Sequence, residues 1–153
     1  MRRLFVTLFL FGSLMAALAS EPVTGRVLKV LPLLINAKGQ DAISPSLYDR
    51  DAYQVYLRQH TNEISGIRFD VLWKTAHAGD ANLKLRLELR GVGTGGLPHE
   101  VTLEQSVTSG YFRRWTSLPL TGADYQKLGE LVAWRATLWS DDRLLAAQNS
   151  FLW

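Results

Sequence analysis

The stretch Leu83-Lys84-Leu85-Arg86-Leu87-Glu88-Leu89-Arg90 decides the fold class, because leucine occupies every odd position and a charged residue every even one. Successive side chains of a strand point to opposite faces, so this pattern predicts a strand with one buried and one solvated face. A helix would scatter the same leucines around its circumference. The chain is therefore expected to contain a half-buried sheet.

The same alternation recurs elsewhere in the sequence. Ile67, Phe69, Val71 and Trp73 alternate with residues of the opposite face and predict a second strand. Weaker strand patterns cover residues 26–35, 101–107, 115–120, 132–138 and 143–153.

Glycine and proline add local detail to these strands. Gly79-Asp80-Ala81-Asn82 predicts a turn that joins strand 67–74 to strand 83–90 as a hairpin. Pro32 and Pro119 move their strands towards sheet edges, because proline cannot donate to a central ladder.

One segment has a helical pattern, with Ser44 as its cap, Pro45 in its first turn and an end near Gln59. An apolar helical face is predicted for this segment, made by Tyr48, Ala52, Val55 and Tyr56. Residues 123–128, followed by Gly129, suggest one further turn. Six or seven strands with one short helix predict an all-β, antiparallel, immunoglobulin-like sandwich.

The N-terminus has the three parts of a secretory signal peptide. Arg2 and Arg3 precede an apolar run through Leu18, and Ala17-Leu18-Ala19 forms a small-residue cleavage motif. We therefore expect residues 1–19 to be a signal peptide and residues 20–153 a single sandwich domain. Cleavage near Ala19 would leave an exported chain, periplasmic or extracellular, with no membrane span.

Charge and glycine spacing give no support for nucleic-acid or nucleotide binding. The chain has 17 Lys and Arg against 14 Asp and Glu, and without Arg2 and Arg3 the balance is 15 against 14. Gly91-Val92-Gly93-Thr94-Gly95-Gly96 matches a dinucleotide-binding spacing, but an alternating strand follows it instead of a helix. A hairpin loop is the favoured interpretation of this glycine-rich segment.

The sequence also lacks the motifs of common catalytic and metal sites. His60, His77 and His99 are not at metal-ligand spacing, and cysteine is absent. Neither a G-x-S-x-G nor an S-x-x-K nucleophile motif occurs. We expect no catalytic residue, no metal and no cofactor, and a non-enzymatic function is favoured.

The best candidate for ligand binding is Tyr111-Phe112-Arg113-Arg114-Trp115. Arg113, Arg114 and Trp115 combine two cations with an aromatic ring, which suits stacking on a sugar or clamping an anion. The alternative is that Phe112 and Trp115 enter the core while the arginines cover a sheet edge. Tyr53, with its two tyrosine neighbours on the helix, gives a second candidate patch.

The C-terminal residues carry a resemblance to known proteins. Trp134-Arg135, Leu138-Trp139, Asp141-Asp142 and Ser150-Phe151-Leu152-Trp153 resemble the terminal block of a group of small uncharacterised secreted bacterial proteins. That resemblance implies an exported protein and supplies no site residue.

The predicted function is that of an exported, non-catalytic binding module whose partner is a protein, a glycan or an envelope component. Two alternatives stay open at the level of sequence. A small envelope hydrolase would need carboxylates that face each other across a cleft. Alternation leading back from the terminal Trp153 also resembles the last strand of outer-membrane β-barrels.

Overall fold

The computed structural model describes residues 21–110 and 112–153. The predicted signal peptide, residues 1–19, lies outside the described residues, as does Tyr111. The elements follow in chain order: β1 (Thr24–Asn36), α1 (Leu47–Gln59), a 3-10 turn (Thr61–Glu63), β2 (Ile64–Ala76), β3 (Leu83–Val92), β4 (Pro98–Val107), β5 (Arg114–Thr121), α2 (Gly122–Leu128), β6 (Glu130–Ser140) and β7 (Arg143–Asn149).

These strands form two antiparallel sheets, with orders β1-β2-β5 and β4-β3-β6-β7. In the constant-type immunoglobulin domain the first, second, fifth and fourth strands share one sheet, and the third, sixth and seventh share the other. The arrangement here differs in the placement of β4, which pairs with β3. The structure is thus an all-β, immunoglobulin-like sandwich, which confirms the predicted fold class.

The sheets enclose one core, and the alternation in the sequence predicts its main residues correctly. Leu83, Leu85, Leu87 and Leu89 of β3 are all buried. Their counterparts across the core are the predicted apolar residues of β2, namely Ile67, Phe69, Val71 and Trp73.

Pro32 and Pro119 lie on the edge strands β1 and β5, as predicted. The glycine-rich segment forms the loop of the β3–β4 hairpin, also as predicted, and Gly95 and Gly96 have positive φ there. A side chain would be strained at those two positions of the loop.

The predicted hairpin between β2 and β3 is wrong. The segment Gly79–Asn82 does turn, since Ala81 N–H donates to the carbonyl of Ala78. However, β2 pairs with β1 and β5, whereas β3 pairs with β4 and β6. The turn therefore carries the chain across the core from one sheet to the other.

The last strand is shorter than predicted, because β7 ends at Asn149. Two hydrogen bonds join Ser150 to Trp134. The Ser150 N–H donates to the Trp134 carbonyl, and the Ser150 hydroxyl accepts from the Trp134 N–H. The chain then turns, and the guanidinium of Arg90 lies 4.0 Å from the ring centroid of Trp153. This cation–π contact fixes the terminal tryptophan outside the ladder.

Two details of α1 differ from expectation. The cap is Ser46, whose hydroxyl accepts from Asp49 N–H, while Ser44 lies before the helix and donates to the Asp49 carboxylate. The predicted apolar face also points to solvent and not to the core, since Tyr48 is 83% exposed. The buried residues of the helix are Gln54 and Leu57.

Gln54 explains why α1 packs on that side. Its side-chain amide accepts from Leu34 N–H at 2.8 Å and donates to the Leu34 carbonyl at 2.8 Å and the Asp41 carbonyl at 3.0 Å. A glutamine side chain thus pairs with the free edge of β1 as a neighbouring peptide would. The edge is satisfied and protected from pairing with another chain.

Replacing Gln54 with leucine should therefore destabilise the fold by about 1–3 kcal/mol, because buried backbone groups of β1 would lose their partners. Urea unfolding measures the loss. Gln59→Leu, at the exposed end of the same helix, is the matched control and should change stability by less than about 0.5 kcal/mol. Equal effects of the two substitutions would contradict this role for Gln54.

Candidate functional site

The outer face of the three-stranded sheet is polar, and in one half of it the cation is paired with carboxylates. Arg68 of β2 forms paired hydrogen bonds of 2.9 Å with the Asp70 carboxylate and an ion pair of 3.2 Å with Asp41. Ser117 of β5 donates to the same Asp70 carboxylate at 2.6 Å. Burial lowers the pKa of Arg68, but the hydrogen bonds and charges of Asp70 and Asp41 outweigh it and raise the pKa overall.

The other half of this face carries cations. Arg26 of β1 pairs in register with Lys74 of β2, and Lys29 pairs with Leu72. Because Val71 and Trp73 point into the core, Leu72 and Lys74 point outward with their partners. Arg26, Lys29 and Lys74 are all exposed.

Two of the predicted ligand-binding residues belong to this half. Trp115 of β5 pairs with Leu72, so it lies in one row with Lys29 across the sheet. Arg113 directly precedes β5. Because Arg114 pairs with Trp73, one further step in the same register places Arg113 opposite Lys74. We call the set Arg26, Lys29, Lys74, Arg113 and Trp115 the cationic face.

The spacing of the cationic face follows from sheet geometry. Neighbouring strands lie ~4.8 Å apart, and every second residue of one strand lies ~6.8 Å apart. The α-carbons of the four cationic residues therefore lie within an area of ~10 by ~7 Å. Over the described ranges 21–110 and 112–153, none of the four is in an ion pair. Positive charge therefore accumulates here without a carboxylate partner.

Trp115 and Phe112 stay outside the core, with exposed fractions of 52% and 80%. The alternative prediction, which placed these two aromatic rings in the core, is wrong. The core positions of β5 are filled instead by Leu118 and Leu120.

Arg114 is separate from the cationic face. It pairs with Trp73, whose side chain points into the core, so Arg114 starts from the opposite side of the sheet to Trp115. Its guanidinium lies 3.5 Å from the Thr108 hydroxyl and packs closely over Gly110. A β-carbon at Gly110 would come within 2.4 Å of Arg114 Nε, so a side chain there would displace the guanidinium.

Tyr53, the fourth predicted residue, lies at the far end of the sheet. Its hydroxyl accepts from Asn36, which pairs with Ile64. Trp115 pairs with Leu72, eight residues further along β2, and this corresponds to a distance of roughly 26 Å. The structure therefore does not bring Tyr53 together with Arg113 and Trp115.

Tyr53 instead lines a separate cleft of about 450 Å³, which we call the α1 cleft. Its lining residues are Ile43, Asp49, Ala52, Tyr53, Tyr56 and Glu63. Tyr56 is stacked between Tyr53, with centroids 5.8 Å apart, and His60, at 4.0 Å. The Tyr56 hydroxyl donates to Glu63 at 2.7 Å, and this hydrogen bond raises the pKa of Tyr56.

Metal binding and membrane crossing are two further possibilities for the described residues. In the described part of the chain no three histidine or acidic residues cluster in a way that could hold a metal ion. No helix among the described residues is long and apolar enough to cross a membrane.

Sequence reasoning missed Arg26, Lys29 and Lys74, and the cause is a β-bulge. The register shifts between Val27 and Lys29, so Leu28 is an extra residue in β1. Residues three apart in a regular strand point to opposite faces, whereas the bulge returns Arg26 and Lys29 to the same face. The sequence pattern carries no clear signal for that insertion.

The comparisons with known proteins include a structural likeness. No family model matches the chain, and no curated protein matches it. Among solved structures, the chain is similar to an immunoglobulin-like protein from Pseudomonas aeruginosa. The identity is 17%, the TM-score is 0.39, and the match covers 86% of this chain and 96% of that one. The assignment of the architecture rests on the strand order described above.

The effect of the Tyr56–Glu63 hydrogen bond on the pKa of Tyr56 can be tested by titration. Glu63→Gln should lower the pKa of Tyr56 towards its ordinary value, because a neutral amide no longer opposes formation of the phenolate. NMR titration of labelled tyrosine rings measures the shift. Glu130→Gln, at an exposed position on β6, is the control and should leave Tyr56 unchanged; equal pKa values in both variants would contradict the assignment.

Proposed function

We propose that this protein is an exported, non-catalytic binding module and that the cationic face holds an acidic glycan of the cell envelope. Export is supported by the signal-like residues 1–19. The observation that carries the binding proposal is the grouping of four exposed cations and Trp115 on one flat sheet face.

The electrostatics of the cationic face favour an anionic ligand. Two unit charges ~7 Å apart repel each other by roughly 0.6 kcal/mol in water, and the face holds several such pairs. An anion placed over Lys29 and Lys74 would replace this repulsion with attraction. Exposed cations are strongly screened by salt, so the affinity should depend on ionic strength.

Trp115 favours a saccharide over a simple anion. Its ring is half exposed beside Leu72, and it offers an apolar surface to the face of a sugar ring. None of the five side chains of the face is a carboxylate, a histidine or a hydroxyl. The face thus has groups that hold an anion but not the pair of carboxylates that glycoside hydrolysis uses, which disfavours the hydrolase alternative at this site.

Binding of polygalacturonate, a polymer of uronic acids, tests the proposal by isothermal titration. Lys29→Gln/Lys74→Gln should weaken binding about tenfold or more, equivalent to a loss of ~1.4 kcal/mol. Trp115→Ala should also weaken it. Neutral dextran should not bind, and raising the salt to about 0.5 M should abolish most of the affinity.

The matched control is Lys38→Gln/Lys127→Gln, which removes the same charge from exposed positions elsewhere on the surface. This variant should bind within about twofold of the unmodified protein, since ΔΔG stays near zero. Equal weakening by both double variants would mean that net charge alone drives binding, against the proposal. Tighter binding to phosphatidylglycerol vesicles than to polygalacturonate would also overturn it, in favour of a membrane surface.

A further inference from the structure

The outward side of α1 and the loop before it form an apolar surface with nothing packed over it among the described residues. Its members are large hydrophobic side chains with high exposed fractions: Ile43 (74%), Leu47 (68%), Tyr48 (83%), Val55 (51%) and Tyr56 (38%). A surface helix normally buries its apolar stripe. Here the buried side contains Gln54, and the apolar stripe points outward, as at sites of protein association.

Two carboxylates line the cleft within this apolar surface. Asp49 accepts a hydrogen bond from the Ser44 hydroxyl at 2.5 Å, and Glu63 accepts one from the Tyr56 hydroxyl at 2.7 Å. Both donors are neutral, and neither carboxylate is in an ion pair within residues 21–110 and 112–153. The α1 cleft thus combines apolar contact area with negative charge that has no cationic partner.

From this combination we propose that the α1 cleft binds a basic, amphipathic segment of a partner protein. Apolar side chains of the segment contact Ile43 and Ala52, and its lysine or arginine side chains pair with Asp49 and Glu63. Complementary charge at such a surface sets the preference between partners as well as contributing affinity.

The arrangement of the aromatic rings favours a peptide over a sugar at this site. Tyr56 is stacked between Tyr53 and His60, with interplanar angles of 10° and 19°. These two contacts reduce the open aromatic surface of Tyr56, while Ile43 and Ala52 give the cleft aliphatic carbons. Aliphatic side chains and cations fit this lining better than a sugar ring that needs an open aromatic face.

Fluorescence anisotropy with two synthetic helical peptides tests the inference. One peptide carries leucine on one face of the helix and lysine on the opposite face. The other carries glutamine in place of lysine. The Leu/Lys peptide should bind about tenfold more tightly than the Leu/Gln peptide. Asp49→Asn/Glu63→Gln should abolish this difference while keeping weak apolar binding, since both amides still accept the hydroxyl hydrogen bonds.

Ala52→Arg should block binding of both peptides, because its side chain fills the cleft and adds no negative charge that would attract lysine. The control is Asp80→Asn/Glu130→Gln, which removes two exposed acids elsewhere and should leave the preference intact. Equal binding of the two peptides, or loss of preference in the control, overturns the inference. Self-association without peptide that Ala52→Arg abolishes also overturns it, in favour of a second copy as the occupant.

The Lys29→Gln/Lys74→Gln variant separates this inference from the proposed function. It changes only the cationic face, so its preference for the Leu/Lys peptide should equal that of the unmodified protein. If the unmodified protein prefers the Leu/Lys peptide but does not bind polygalacturonate, the glycan proposal alone is refuted, and the reverse result for the unmodified protein refutes the peptide inference alone.

Discussion

Burial of the apolar faces of β2 and β3 against each other is the constraint on which the rest of the structure depends. Antibody domains link their second and sixth strands with a disulfide between the sheets. This chain has no cysteine, and Phe69 of β2 instead contacts Trp134 of β6 edge-to-face, with centroids 6.5 Å apart. Each fully buried core side chain contributes roughly 1.5–3 kcal/mol, so apolar packing replaces the covalent link.

The same constraint explains which predictions from sequence were correct. A period of two is a property of each strand alone, so the buried leucines of β3 follow directly from it. A turn such as Gly79–Asn82 has the same local chemistry in a hairpin and in a crossover, and only the pairing partners of both strands distinguish them. The inward face of α1 depends on the edge of β1, where Gln54 satisfies Leu34, and no helical periodicity of apolar residues contains that information.

The candidate site could likewise be predicted only in part from the sequence. Arg113 and Trp115 are neighbours in sequence and stand out as a local pattern. Arg26 and Lys29 share their face only because Leu28 bulges, and they meet Lys74 only through the register of β1 on β2. Tyr53 was predicted for its residue type, and the structure places it on a different surface.

The near-neutral balance of charge in residues 20–153 conceals two surfaces of opposite sign. The cationic face lies at one end of the three-stranded sheet, and the acidic, apolar α1 cleft lies beside the other end. Between them, Arg68 forms ion pairs with both Asp41 and Asp70, so the cation of the intervening surface is compensated by carboxylates. At physiological salt the Debye length is about 8 Å, whereas the two ends are separated by roughly 26 Å, so the charges of one surface are screened from the other. A module built in this way would hold an acidic glycan and a basic protein segment at the same time, because neither charge cancels the other.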